Sequence, residues 1–209
     1  DEINRAPAKT QAALFEVMEE RQITMDGTRY ILDPPFLVLA TQNPIEQEGT
    51  YRLPEAQLDR FLFKIQVDYP SLEEEYIILD KAHQRKLNVA LEEITPLLSA
   101  EKIVEYRNKV KEIHVEAPLL QYIAQIVAST RNNKSLYLGA SPRASLAILN
   151  TAKAFAAMQG RDFVTPEDIK NMVNPVLRHR VMLTPEKEME GVAVEEVLKQ
   201  IVQNIEVPR

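Results

Sequence analysis

At 209 residues, 45% apolar and 27% charged, the chain is long enough for one full domain or two small ones around a real core. A net charge of −6 disfavours a protein that mainly coats nucleic acid, and the absence of cysteine excludes disulfides, thiolate zinc sites and a cysteine nucleophile. No apolar run reaches membrane-spanning length and Asp1-Glu2 follows no basic or hydrophobic leader, so no membrane insertion and a cytoplasmic setting are expected.

The first 70 residues mix helix and strand. Pro7 suits a first helical position, and Leu14, Phe15 and Met18 then fall on one face of a helix ending near Glu20. Asp26-Gly27, between Gln22–Met25 and Thr28–Leu32, is a two-residue hairpin signal, because both turn positions must tolerate positive φ. After Pro34-Pro35, the continuous apolar run Phe36–Ala40 predicts a strand buried on both faces. A short helix around Pro54–Asp59 and a second strand, Phe61–Val67, come next.

From about Ser71 onward the sequence predicts helix throughout. Ser71-Leu-Glu-Glu74 opens the first with a capping box. Ile103, Tyr106 and Val110 mark the second, and Leu119, Ile123, Ile126 and Val127 the third. Ser141-Pro142 starts the fourth, carrying Leu146 and Leu149, and Thr165-Pro166-Glu-Asp168 the fifth, with Ile169, Met172, Val173 and Val176 as its stripe, while Val194, Val197, Leu198 and Ile201 line the last. These stripes are core-facing and carry no chemistry. The expected fold class is α/β then all-α, an incomplete α/β layer followed by a helical domain.

Four positions stand out chemically. Asp1-Glu2 is a pair of acids of the kind that hold Mg²⁺ and orient a water in phosphoryl transfer, although adjacent acids are usually solvated surface charge. Asn43 lies just beyond the Phe36–Ala40 run, where α/β proteins place ligands, and equally it precedes a proline in a turn. Arg60 closes the short helix, with Asp59 or Glu55 as its default surface partner. Arg143 sits in the first turn of a helix, where a cation opposes the dipole at a cost of roughly 0.3–1 kcal/mol. Such an inconsistency points either to function or to an arginine reaching solvent. His83, His114 and His179 lie in separate segments without ligand spacing; His179, between Arg178 and Arg180, fits a positive corner or a structural role.

Asp1-Glu-Ile-Asn-Arg-Ala-Pro7, Leu39-Ala-Thr-Gln-Asn-Pro44, Leu53-Pro-Glu-Ala-Gln-Leu-Asp-Arg-Phe61 and Gly139-Ala-Ser-Pro-Arg143 occur in the order seen in MoxR-type AAA+ ATPases, which the chain resembles. Gly160–Asp168 and Pro175–Arg180 extend the resemblance into the helical region. It implies residues 1–70 as the C-terminal part of a P-loop AAA+ core from Walker B onward, and residues 71–209 as a helical linker and lid. It further implies Asp1 and Glu2 as the Walker B acids, with Asp1 holding Mg²⁺ through water and Glu2 polarising the attacking water. Asn43 becomes sensor 1, Arg60 the arginine finger reaching the next subunit, with Arg52 a second candidate, and Arg143 sensor 2 for its own subunit. ATP and Mg²⁺ are the implied cofactors, a ring oligomer, taken as a hexamer, the assembly, and von Willebrand A-domain or other client proteins the partners in assembly or metal insertion. A chelatase- or helicase-type motor and a non-hydrolysing adaptor are the alternatives.

No G-x-x-x-x-G-K-[ST] loop occurs, and Lys134-Ser135 lacks the glycines that let backbone amides cradle phosphates. Truncation upstream of Asp1 is the expected reason, and the 209-residue chain alone is expected to hydrolyse ATP poorly or not at all.

Overall fold

The computed structural model describes residues 1–43, 53–84 and 94–208. Arg52, the second finger candidate, lies outside the described residues. A 3-10 turn, Ile3–Arg5, leads into helix α1, Ala8–Glu20, with Pro7 at its N-cap. Gln11 and Phe15 are buried and Met18 half-buried, one face at four- and three-residue steps. Phe15 meets Phe61 edge-to-face at 6.2 Å, and Ile3 and Leu53 complete this small core. Arg21, at φ 52°, ends the helix and starts the expected hairpin.

Strands β1, Gln22–Met25, and β2, Thr28–Ile31, pair antiparallel from Gln22↔Ile31 to Met25↔Thr28. Asp26 at φ 50° and Gly27 at φ 76° form the tight turn that right-handed strand twist favours. The Thr24 hydroxyl donates to Glu16 Oε1 at 2.7 Å, leaning the hairpin on α1.

The two longer strand expectations do not hold. Neither Phe36–Ala40 nor Phe61–Val67 joins a sheet, and Leu37, Leu39, Ile65 and Val67 are 79, 84, 77 and 88% exposed. A central strand is made by its hydrogen-bonded neighbours, and among the described residues neither run has a strand beside it. Helix α2, Glu55–Leu58, is the expected short one.

In α3, Leu72–Gln84, the capping box is present: Ser71 N donates to Glu74 Oε2 at 2.8 Å and Glu74 N to Ser71 Oγ at 3.3 Å. Helix α4, Ala100–Glu112, is capped by Ser99. The main core is built by α5, Ala117–Arg131; β3, Leu136–Leu138; α6, Pro142–Met158; α7, Pro166–Leu177; β4, Met182–Leu183; and α9, Val194–Gln203, with the short α8, Pro185–Met189, outside it. Tyr122, Ile126, Ile148, Ile169, Leu177 and Leu198 are its largest fully buried apolar side chains; the stripes read on α5, α7 and α9 meet there, while Tyr106 of α4 and Leu146 of α6, expected to face the core, are exposed. The short β3–β4 pair, antiparallel, corrects the expectation of helix throughout.

The Gly160–Asp168 motif is a structural buckle. Arg161 forks onto the buried Asp168 carboxylate at 2.6 and 2.7 Å, while Asp168 and Thr165 cap α7 reciprocally. Burial pushes the Asp168 carboxyl up, but the Arg161 fork and the Thr165 bonds outweigh it and hold the group below its ordinary value. Among the described residues no helix is long and apolar enough to cross a membrane.

Candidate functional site

Residues from the two ends of the first segment lie side by side. Ile3 N donates to Thr41 O at 2.9 Å, and the Thr41 hydroxyl accepts from Glu2 N at 2.8 Å while donating to Asp1 Oδ1. Asn4 Nδ2 donates to Asn43 O at 3.3 Å, and Gln11 Nε2 ties the turn to α1 through Ile3 O. Asp1, Glu2 and Asn43 are thereby brought to one place from forty residues apart. Glu2 takes up φ 47°, ψ 57°, a left-handed conformation that costs a non-glycine residue energy and turns the chain between the two acids and Ile3. Its carboxylate meets Arg5 Nε at 2.8 Å.

A second cluster lies at the C-terminal end of α1. Arg60 does not pair with Asp59 or Glu55: its Nη1 meets Glu19 Oε2. Arg143 Nη2 meets the other oxygen of the same carboxylate, Glu19 Oε1. Two cations 83 residues apart in sequence thus share one acid. They open, with Met18, Asp59, Leu62 and Arg180, onto a shallow pocket that Asp1, Glu2 and Asn43 do not line. Glu19 belongs to none of the sequence motifs; the one signal available is an acid in a helix's last turn, against the dipole, with no basic residue there.

The approach of Arg143 is set by close backbone packing. Ala140 N donates to Thr130 Oγ1 at 2.9 Å and Arg131 Nε to Ala140 O at 2.8 Å. A Cβ on Gly139 would lie 2.6 Å from Arg131 Cα, so only glycine fits there. Ser141 then caps α6 by accepting from Arg143 N, which sends the arginine side chain away from the helix towards Glu19.

Asp59, beside Arg60, is held from two directions. Ser141 Oγ donates to Asp59 Oδ2 at 2.8 Å and Arg180 Nε to Asp59 Oδ1 at 2.8 Å. Arg180, 3% exposed in its side chain, also donates to the carbonyls of Asp59, Phe61, Leu62 and Val176, which occupies all five guanidinium N–H groups. Burial pushes this guanidinium down from its ordinary value, partly offset by Asp59. His179 Nε2 lies 2.9 Å from Phe61 O, and burial pushes the imidazole down to about 4, so at neutral pH it is uncharged and donates from Nε2. Of the two roles open to His179, the structure supports the structural one. Among the described residues no group of three or more His, Cys, Asp or Glu is placed to hold a metal ion.

Residues 1–63 match the model of the ATPase family associated with various cellular activities (AAA), and residues 128–201 match the AAA lid domain. Over 218 residues the chain is 41% identical to the chaperone MoxR1 of Mycobacterium tuberculosis, covering all of this chain and 56% of that protein. The chain belongs to the MoxR family of AAA+ ATPases. The uncharacterized protein YeaC of Bacillus subtilis is 43% identical over 211 residues, covering 100% of this MoxR-family chain and 64% of YeaC. A crystal structure of a Cytophaga hutchinsonii protein, described as a candidate ATPase, superposes with a TM-score of 0.91 at 39% identity, covering 100% of this chain and 65% of that one. The chain therefore spans less than two thirds of each of these relatives. Its fold is the AAA+ fold with an AAA lid, mixed α/β and rich in helix, as the motifs implied.

Proposed function

We propose that the full-length protein is a ring-forming ATP hydrolase of the MoxR type, with each nucleotide held between the acids of one subunit and the arginines of the next. The observation that carries this reading is the pairing of residues 1–4 with Thr41 and the Asn43 backbone carbonyl, which brings two acids and Asn43 to one place. Phosphoryl transfer needs that set: an acid for the metal, an acid for the water and an amide to place the γ-phosphate. Asp1 suits Mg²⁺ as a hard, exposed oxygen donor, and would hold the ion through water; bound there, the ion neutralises phosphate charge. Glu2 polarises the attacking water and Asn43 positions it. Arg60 stabilises the charge that grows on the transferring group.

Arg143 joins Arg60 at the same nucleotide, instead of serving its own subunit as the motif order implied. Both guanidiniums meet on Glu19 and line one pocket apart from the acids, which favours a shared target. The exposed apolar rows of Phe36–Ala40 and Phe61–Val67 fit strands that pair within a complete sheet. A chaperone-like role in assembling client proteins or inserting their metals, von Willebrand A-domain partners and a cytoplasmic setting rest on the family resemblance.

Mixed rings test the assignment. Full-length Glu2→Gln and Arg143→Ala, each inactive alone, are combined in equal amounts. About a quarter of head-to-tail interfaces then pair an intact Glu2 with an intact Arg143, and about that fraction of turnover returns. Recovery with Arg60→Ala but none with Arg143→Ala, in rings shown to mix, assigns Arg143 to its own subunit and overturns the shared site. Parental turnover by Glu2→Gln alone removes the acid assignment.

A further inference from the structure

We propose that Glu19 is a positioning residue: its carboxylate holds the place of a phosphoryl group and keeps Arg60 and Arg143 converged until a nucleotide phosphate displaces it. This rests on the reading of the two arginines as phosphate ligands. Three parts of the chain, the end of α1, the turn after α2 and the first turn of α6, deliver these side chains to one point. Each Glu19 oxygen takes one guanidinium, as two oxygens of a phosphate would.

Charge shows why the arrangement is provisional. Asp59 is committed to Arg180 and Ser141, so within this pocket Glu19 alone faces two guanidiniums, while Glu16 and Glu20 line the neighbouring pocket on the far side of Arg60. A phosphate bearing two negative charges satisfies that pair better than Glu19 can. All three side chains are partly exposed, so an anion reaches them without unfolding anything. Helix energetics do not account for the glutamate, because an acid in the last turn of α1 opposes the dipole and no basic residue in that turn offsets it. The α1 backbone is anchored by the Phe15–Phe61 contact, so the exchange requires only that the Glu19 side chain let go.

The test uses the full-length protein and Mg-ATP. Glu19→Gln keeps the shape and removes the competing charge. The expected result is an apparent KM for ATP lower by about three- to tenfold with kcat within about twofold, and a KM near parental in Glu19→Asp, which keeps the charge. In an Arg143→Ala background, which does not turn over, Mg-ATP affinity read by titration calorimetry should change much less on Glu19→Gln than it does with Arg143 present. Thermal unfolding confirms that the variants are folded, which the position at an exposed helix end favours. An unchanged or raised KM in folded Glu19→Gln overturns the place-holding role. If Arg60→Ala and Arg143→Ala themselves keep parental kcat and KM, the nucleotide reading fails instead, whatever Glu19→Gln does.

Discussion

Replacing Arg180 by alanine tests the junction between the Asp59–Leu62 turn and the lid. The guanidinium makes five hydrogen bonds between 2.5 and 3.1 Å, one to the Asp59 carboxylate and four to backbone carbonyls. Individually, bonds to a charged group contribute about 1.5–3 kcal/mol, but five on one group share a single desolvation cost and do not add. Breaking a buried ion pair from one side costs about 3–5 kcal/mol. Asp59 keeps Ser141 and has some access to water, which places the expectation near 3 kcal/mol at the lower end of that range. Against a typical domain stability of about 5–15 kcal/mol, that is a large share. Urea unfolding of wild type, Arg180→Ala, Asp59→Asn and the double variant gives the coupling directly. Arg180→Lys should recover less than half of the loss, since an ammonium cannot fork between Asp59 and the carbonyls. A loss below about 1 kcal/mol for Arg180→Ala would equate the junction with an ordinary surface pair and refute the reasoning.

Stability should fall as pH drops from about 6.5 to about 4, because the His179 imidazole is held low by burial and the unfolded chain takes up its proton first. The contribution is intact above the ordinary value and lost on the way down to the folded one, by at most about 3 kcal/mol. Urea midpoints across that range should be flatter in His179→Gln, and an identical slope in both proteins would rule the histidine out. Gly139→Ala should lose about 1–3 kcal/mol, because its Cβ meets the backbone of Thr130 and Arg131 at 2.6–2.8 Å, well inside contact. Calorimetry reads the loss as a drop of several degrees, and an unchanged Tm would mean the α5 terminus gives way freely.

What was legible in the sequence was mostly local. The Asp26-Gly27 turn, the Ser71 capping box, the helix start at Thr165-Pro166 and the stripes of α5, α7 and α9 depend on residues within a few positions of one another and appear as expected, whereas on α6 Ala144 and Ile148 face the core and Leu146 is exposed. The helical part also hides a β3–β4 pair too short for its alternation to show. Phe36–Ala40 reads as a buried strand because its composition is that of one, but burial is conferred by neighbours, and among the described residues no strand lies beside it. At the candidate site, motif order named Arg60 and Arg143, while their common partner could not be read. Glu19 lies outside every quoted motif, and nothing local distinguishes it except its unfavourable helix position. Asp59 offered itself as the neighbour of Arg60 in sequence, yet the fold commits it to Arg180, 121 residues away.

The tripeptide Arg178-His179-Arg180 has a mechanical consequence. Three consecutive side chains grip the short stretch from Asp59 to Gln66 at separate points, Arg178 on Gln66, His179 on Phe61, and Arg180 on Asp59, Phe61 and Leu62. Several anchors spread along a strap resist twisting in a way one anchor cannot. A rotation of the lid therefore carries Arg60 with it, since the residue before Arg60 is fastened to the lid at both carboxylate oxygens. The lid and the turn that carries Arg60 therefore behave as one lever.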